Sequence, residues 1–521
     1  MILQNSLLAL SIGLTFLVPA TMSKADDNAR SIAIDLNSPS TPRDYFYNLS
    51  VGSDYPGTLI RDDSMSQLKT VKKELGFRYI RFHAIFHDVL GTYKEVNGEP
   101  IYDWVKIDYL YDHLLKIGIK PFVELGFTPE AMKTSDNKIF YWQGNTSHPE
   151  PHKWAGLVDA FVHHVEDRYG KEEVRSWYFE VWNEPNLDGF WEKADKNAYF
   201  ALYGLTARTI KSVDPMLKVG GPSTAGIAWI PEFIKYTTDT QAPLDFITTH
   251  TYGVDGGFLD EEGHSDTKLS PAPDAIIGDV RYVRKEISES ARPDLPLYFT
   301  EWSTSYSPRD AVHDTYISAP YILSKLKASQ GLLQGMSYWT FSDLFEEPGP
   351  PTAPFQGGFG LMNPEGIRKP AYFAYKYLNQ LGDQELKTDD AQSFVTRKGK
   401  AVQVLVWDLE QPVQDKSNRP FFTKVLPTKT AAPVMLTMKG LKSRTYQVHL
   451  YRTGFQANDA YTAYLKLGSP KSLSTEQIKQ LDLLTADQPE TAPLMVSKSG
   501  TAQYSIPMHA SDVVLVTIEP K

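Results

Sequence analysis

Between residues 46 and 382 the chain alternates short apolar, β-rich runs with segments of helical period, and it does so eight times. The runs lie at 46–52, 79–86, 120–127, 176–182, 218–221, 244–252, 295–301 and 335–341, with helical spacing at 64–75, 107–117, 153–169, 197–213 and 274–288. Strands followed in this way by helices pair in parallel, the helices serving as crossovers. Eight such units predict a closed (β/α)8 TIM barrel over 46–382. An open doubly wound sheet is the alternative, but no G-x-G-x-x-G turn follows any strand. The last unit ends in Pro370-Ala371-Tyr372-Phe373-Ala374-Tyr375-Lys376-Tyr377-Leu378, with Gly382 expected as the helix C-cap.

Beyond Gly382 the pattern changes. Runs at 401–407, 433–438, 446–451 and 513–518 read as strands between turn-rich connections, so 383–521 is expected to be a smaller antiparallel β-sandwich. Ser474-x-x-Gln477 ahead of Ile478, Leu481 and Leu484 has the form of a capping box and places one helix inside this domain. The polar segment 26–45 can supply an edge strand to the sandwich. Residues 1–25 read as a signal peptide: an apolar run from Leu7 to Pro19, too short to span a bilayer, precedes small residues in Ser23-Lys24-Ala25. The expectation is a periplasmic or secreted protein with no membrane attachment once that segment is removed.

At 521 residues the chain is long enough for a large domain and a smaller one. Its net charge of -10 argues against a nucleic-acid partner, since little would neutralise phosphates. The absence of cysteine excludes disulfides, thiolate metal sites and thiol nucleophiles. Aromatic residues reach 12%, which serves core filling or sugar stacking, and composition does not choose between them.

Barrel enzymes carry their chemistry at the C-terminal ends of the strands. The fourth run ends Trp177-Tyr178-Phe179-Glu180-Val181-Trp182-Asn183-Glu184-Pro185-Asn186, and the seventh ends Leu297-Tyr298-Phe299-Thr300-Glu301-Trp302-Ser303. Each puts a glutamate, Glu184 or Glu301, at the rim beside a tryptophan. A single rim glutamate is usually a salt-bridge or capping residue. Two facing one another across a barrel mouth are what glycoside cleavage requires: one protonated to release the leaving oxygen, the other ionised at the anomeric carbon. Mutual repulsion, with burial against Trp182 and Trp302, is expected to raise the pKa of one of them.

Val181-Trp182-Asn183-Glu184-Pro185-Asn186-Leu187 followed by Thr300-Glu301-Trp302 resembles the clan A glycoside hydrolases. Phe77-Arg78-Tyr79-Ile80-Arg81-Phe82-His83, Phe86-His87-Asp88, Thr249-His250-Thr251-Tyr252 and 338–347 narrow the resemblance to glycoside hydrolase family 39, which holds β-xylosidases and α-L-iduronidase. Residues 460–470 resemble the sandwich of bacterial members, so the likeness runs through both domains. It implies a retaining exo-glycosidase of the β-xylosidase kind acting on oligosaccharides, with Glu184 as acid/base and Glu301 as nucleophile. The neighbouring rim residues have chemistry that suits substrate binding: Asn183 on the 2-hydroxyl, His83 and His250 as hydroxyl partners or else satisfied core histidines, Tyr252, which can donate to Glu301, and Trp339 as a stacking platform or as barrel-top packing. Asp88 and an acidic residue of the Phe-Glu-Glu run, Glu347, correspond to contacts at the nonreducing end, although Asp88-Val89 stands where some relatives have two aspartates. Arg81 and Trp302 are expected in support, Arg81 because it shares the strand face of His83.

Two rivals stay open. The same machinery can serve a β-glucoside, a β-galactoside or an iduronate; the last needs cations at the rim, for which Arg309 and Arg368 are the candidates. Alternatively the barrel binds carbohydrate without cleaving it. No metal is expected: His163 and His164 fall on different helix faces, H-E-x-x-H is absent, and His83 and His87 have metal spacing only on a helix. No phosphate-cradling glycine loop is present and no cofactor is expected.

Overall fold

The computed structural model describes residues 29–521 except 443; the expected signal peptide, 1–25, lies outside the described residues. Eight parallel strands close into a barrel: β1 (Ser50–Ser53), β2 (Tyr79–Phe82), β3 (Lys120–Leu125), β4 (Tyr178–Val181), β5 (Lys218–Thr224), β6 (Phe246–Tyr252), β7 (Leu297–Ser303) and β8 (Gly335–Tyr338). They neighbour one another in chain order, and β8 returns to β1 through Tyr338 opposite Val51. Helices follow each strand, at Asp62–Leu75, Val105–Lys116, Pro151–Tyr169, Lys196–Val213, Ile230–Asp239, Ile277–Ser288, Ser318–Ser329 and Pro370–Gln380. Where the first strand is expected at 46, residues Phe46–Asn48 instead form a short 3-10 turn, because the side chain of Asp44 accepts the Phe46 N–H at 3.1 Å and curls the backbone before β1 begins.

The N-terminal end of the barrel is plugged by Leu49, Phe122, Phe246 and Tyr298, with Tyr79 and Tyr178 packed against them. Two glycines make room for these rings. A Cβ on Gly220 would stand 2.4 Å from Phe246, and one on Gly335 2.8 Å from Tyr298. This aromatic floor closes the barrel below, so polar side chains further along the strands meet solvent at the C-terminal end only.

Two sheets follow the barrel. The larger has seven strands, in the order Ser40–Pro42, Gln384–Leu386, Ser393–Lys398, Ala401–Trp407, Val513–Pro520, Thr445–Thr453 and Glu490–Met495. The smaller has Arg30–Asp35, Thr430–Lys439 and Thr501–His509. Strand alternation explains how the larger sheet serves two cores. Val402, Val404 and Val406 face the smaller sheet, while Leu405 and Trp407 join the barrel core. Trp407 also donates to the Ser324 hydroxyl at 2.8 Å. Every pairing in these sheets is antiparallel except that of Arg30–Asp35, which runs parallel to Thr430–Lys439. The helix Thr475–Leu484 begins with the expected capping box of Ser474 and Gln477.

Gly382 does not cap the last barrel helix. Leu381 does so in extended geometry, and Gly382 lies where the backbone passes against the larger sheet. A Cβ there would stand 2.4 Å from the Arg397 carbonyl oxygen, and its N–H donates to Thr396 at 2.8 Å. Gly382→Ala is therefore expected to destabilise the protein by about 1–3 kcal/mol through overpacking against backbone. Chemical denaturation checks this, and an unchanged midpoint would show that the sheet yields at no cost.

Candidate active site

β2 carries Tyr79 and Arg81 on its inner face, the first in the floor and the second above it, and His83 follows the strand directly. Arg81 is fully buried. Its Nε donates to Glu180 at 2.5 Å and its Nη1 to Glu301 at 2.6 Å, while Nη2 reaches Asn183 at 2.8 Å and Glu124 at 3.0 Å. Glu124 and Glu180 come from the second halves of β3 and β4, where each interrupts a run of apolar residues. Burial pushes the Glu180 carboxyl up, but the Arg81 charge outweighs it and holds it below the ordinary value. Glu124 also accepts His83 Nδ1 at 2.7 Å. Burial alone would lower the His83 pKa; Glu124 and then Glu347, 3.2 Å from Nε2, hold it well above the usual imidazole range.

Past β4 the chain turns sharply, with Trp182 at φ 72° and Glu184 at φ 45°. Non-glycine residues adopt this region at a conformational cost. The turn is fastened on both sides: the Trp182 indole donates to the Phe190 carbonyl at 2.7 Å, and the Glu184 N–H donates to the Ser223 carbonyl at 2.8 Å. Burial pushes Glu184 up to about 7, with His83 and Arg81 opposing and Glu124 adding to the rise. The repulsion that sequence reasoning assigned to Glu301 thus comes from Glu124. The tryptophans also divide: Trp182 packs against Phe127, Trp154 and Trp191, whereas Trp302 points out of the barrel against Tyr338.

Glu301 reaches the site through a bulge. Phe299 stands opposite Thr249, but Glu301 stands opposite His250, leaving Thr300 as an extra residue in β7. Both Thr300 and Glu301 consequently face inward. Thr300 donates to Glu180 at 2.7 Å, and Glu301 accepts Arg81 on one oxygen and the Tyr252 hydroxyl, at 2.7 Å, on the other. His250 lies between the two rim glutamates, its Nδ1 2.9 Å from Glu184 and 3.6 Å from Glu301. Burial lowers its pKa to about 4, so the ring is neutral at neutral pH. The Thr300 hydroxyl gives its one proton to Glu180, so towards Nε2, 3.2 Å away, it can only accept. The tautomer that carries Nε2–H leaves Nδ1 to accept from the protonated carboxyl of Glu184. Ligand atoms of Glu184, His250 and Glu301 all lie within 4.8 Å of one another. These three are the donors a metal ion would find here, but the Arg81 guanidinium already occupies one oxygen of Glu301.

A cavity of about 630 Å³ opens above these groups, lined among others by His83, Asn183, Tyr252, Trp339 and Glu347. The Trp339 ring packs against β1 at Gly52, where a Cβ would stand 2.2 Å from it. Burial pushes Glu347 up to about 8, with His83 opposing. Its neighbour Glu346 turns outward to Arg61 at 2.9 Å. Asp88 is not among the cavity-lining residues; it is exposed and accepts the Glu130 N–H at 2.9 Å. Arg309 is spent on the carbonyls of Pro348, Gly349 and Pro350, and Arg368 on Glu74 at 2.6 Å. A larger cavity, about 830 Å³ beside Lys325 and Leu409, contains neither rim glutamate.

Sequence reasoning passed over Glu124, Glu180 and Ser223, which hold the site residues from below, and Asp54. The last follows β1 and accepts the Glu346 N–H at 2.8 Å, the Thr58 hydroxyl at 3.0 Å and the Trp142 indole at 3.2 Å. A carboxylate within a run of apolar residues was the available signal for Glu124 and Glu180. Asp54, at a strand end among loop residues, offered none.

A closed barrel whose C-terminal mouth holds two adjacent glutamates defines a glycoside hydrolase of clan A type. Comparison with known proteins agrees: the model of glycosyl hydrolases family 39 matches residues 30–503, and the chain belongs to that family. A beta-xylosidase of Geobacillus stearothermophilus is 36% identical over 93% of this chain and 95% of its own. The crystal structure of the GH39 enzyme from Xanthomonas axonopodis pv. citri superposes with a TM-score of 0.94 at 58% identity, covering 97% of this chain and 100% of its own. That of a monomeric beta-xylosidase from Caulobacter crescentus CB15 gives 0.93 at 61% identity, covering 94% and 100%.

Removing the guanidinium leaves buried carboxylates without a counter-charge. Arg81→Met is expected to cost about 3–5 kcal/mol at neutral pH. In the unsubstituted protein the lowered pKa of Glu180 contributes stability above the unfolded carboxylate pKa, lost as pH falls through the folded value. In the variant, burial alone raises that pKa, a penalty felt only above the unfolded value. The deficit should therefore shrink on acidification below about pH 4. A deficit independent of pH would mean that Arg81 contributes packing alone.

Proposed function

We propose that this enzyme is a retaining β-xylosidase that removes single sugars from the nonreducing end of xylo-oligosaccharides, with Glu301 as nucleophile and Glu184 as acid/base. The observation that carries the mechanism is the closeness of the two carboxyl groups, whose nearest oxygens lie within 4.8 Å. Retaining enzymes hold the groups about 5–5.5 Å apart, whereas inverting enzymes need roughly 6.5–9.5 Å to admit a water. In the first step Glu301 attacks the anomeric carbon as the bond to the leaving oxygen breaks, and Glu184 passes its proton to that oxygen. In the second step Glu184 takes a proton from water, which attacks the same carbon and frees Glu301. Arg81 and Tyr252 each donate to a different oxygen of Glu301, so the donor on the attacking oxygen is loosened as the covalent bond forms, while the other oxygen keeps its donor as the ester carbonyl.

Asn183 spends its amide oxygen on Arg81, which leaves the NH2 end to donate to the sugar 2-hydroxyl. Glu347, His83 and Trp339 close the inner end of the cavity, which supports removal of one unit at a time. Relatives named beta-xylosidases that match nearly the whole chain support the choice of sugar. An iduronate would need an unpaired cation; among the described residues no lysine or arginine lines the cavity, His83 is paired with Glu124 and Glu347, and Arg309 and Arg368 are engaged elsewhere. Export to the periplasm or medium, suggested by the run from Leu7 to Pro19, would place the enzyme with such substrates.

The two glutamates should be separable. Glu184→Ala should still transfer an activated aryl xyloside to Glu301, then stall, with azide restoring turnover and giving a product of retained configuration. On xylo-oligosaccharides, whose leaving group needs a proton, it should lose about 10²–10⁴-fold. Glu301→Ala should fail on both, and azide should give the inverted product. The unsubstituted enzyme should lose activity on xylo-oligosaccharides as pH rises through about 7, where Glu184 gives up its proton. Identical behaviour of the two variants would refute the assignment.

The sugar is tested by comparing a xyloside with the matching glucoside, which adds a hydroxymethyl group at C5. The loop after β8 brings Glu347, Pro348 and Phe359 to the cavity wall, where they would crowd this group. Steric exclusion of this kind discriminates strongly. The xyloside should be preferred by at least about tenfold in kcat/KM, and equal efficiency would remove the xylosidase reading while leaving the mechanism intact.

A further inference from the structure

The catalytic cavity has two unlike ends. At the inner one stand His83 and Trp339, both 2% exposed, with Glu347 beside them. At the outer one stand Leu187 and Tyr306, 39% and 50% exposed, together with Gly226 and Asp279. We propose that this outer end is a leaving-group subsite, in which Asp279 accepts hydroxyls of the departing sugar and Tyr306 packs against its ring. The proposal rests on the xylosidase reading above and extends it to the second sugar of the substrate.

Asp279 is the third residue of the helix Ile277–Ser288 and has no ion-pair partner among the described residues. The Thr251 hydroxyl, on the residue before Tyr252, donates to its Oδ2 at 2.5 Å. That bond fixes the rotamer and satisfies one oxygen. The other, Oδ1, has no hydrogen-bond partner among the described residues. Burial raises the Asp279 pKa, with Thr251 opposing and Asp274 adding to the rise, so the carboxylate is partly desolvated and gains from a further donor. A group that only accepts selects hydroxyl-bearing leaving groups and repels anionic ones.

Tyr306 is held in place although half of it is exposed. Its ring meets Tyr252 edge-on, with centroids 6.3 Å apart and planes at 85°. Its hydroxyl lies over Gly256, in the hairpin strand Val254–Leu259, where a Cβ would stand 2.5 Å away. A fixed, exposed aromatic face at the mouth of a sugar site suits the apolar C–H face of a pyranose. The alternative is structural: an acidic residue in the first turn of a helix complements the helix dipole and needs no ligand.

The two accounts part in their dependence on the leaving group. The test compares kcat/KM for xylobiose and for an aryl xyloside, which shares the inner sugar but lacks the outer one's hydroxyls, in the unsubstituted enzyme, Asp279→Asn and Tyr306→Ala. A lost hydrogen bond to a charged group predicts that Asp279→Asn falls on xylobiose by about tenfold or more beyond any fall on the aryl xyloside, chiefly in KM. Tyr306→Ala, on the surface and safe for folding, should raise KM for xylobiose several-fold with the melting temperature unchanged. Equal losses of Asp279→Asn on both substrates, or no loss on either, would overturn the subsite and leave the dipole role. Failure of the unsubstituted enzyme on both substrates would instead sink the xylosidase reading and the subsite with it.

Discussion

A guanidinium shut away from water needs carboxylates around it, and Arg81 has Glu124, Glu180 and Glu301 within 3.0 Å. Desolvating four charged groups is costly and is offset only if nearly every donor and acceptor is matched. The matching fixes the site. Glu124 and Glu180 rise from β3 and β4 beneath the rim layer, and through them Arg81 sets the height of Glu301, the orientation of Asn183 and the partner of His83. Its charge also sorts the titration of the site. Glu180, bonded to Arg81 directly, lies low, whereas Glu184 and Glu347, buried without such a bond, lie at about 7 and about 8. A buried cation can thus hold nearby carboxylates ionised while burial alone leaves another able to carry a proton.

Regular strands could not have built this arrangement. With strict alternation, Thr300 facing Glu180 would send Glu301 outward and turn Trp302 inward. The extra residue in β7 lets consecutive side chains face inward, and the register shift beside Ser223 in β5 does similar work, presenting the Ser223 carbonyl to Glu184. Irregularity therefore clusters where the strands end at the cavity, while the floor below keeps regular pairing and aromatic packing.

Much of this could be read from the residues. Eight alternating units specify the barrel because hydrophobic period and strand order are local properties, and the rim glutamates stand out because two of them, on the fourth and seventh strands, face one barrel mouth. The capping box at Ser474 was legible for the same reason. What escaped depended on distance in sequence. Nothing in the chain near Asp54 announces that its partners are 88 and 292 residues away. Trp302 was misplaced because it sits beside Glu301 in sequence, and adjacency along a strand means opposite faces. Gly382 has a glycine's usual place after a helix, yet its need for a bare Cα comes from a sheet that the local sequence does not contain.

Asp54 shows how the depth of the cavity is maintained. It ends β1, while the Glu346 N–H that it accepts belongs to the long loop after β8, so the bond joins first and last strands just above their pairing. The same carboxylate holds Trp142, whose ring stacks on Tyr55 at 4.6 Å, and Trp142 comes from the loop after β3. One buried acceptor thereby ties three loops together. The residue after Glu346 is Glu347, which faces His83, so anchoring the backbone at one position dictates which of two adjacent glutamates enters the cavity and which turns out to Arg61. The side chains that close the inner end of the cavity are therefore carried on main chain pinned to the barrel, which gives a pocket of fixed depth for the terminal sugar.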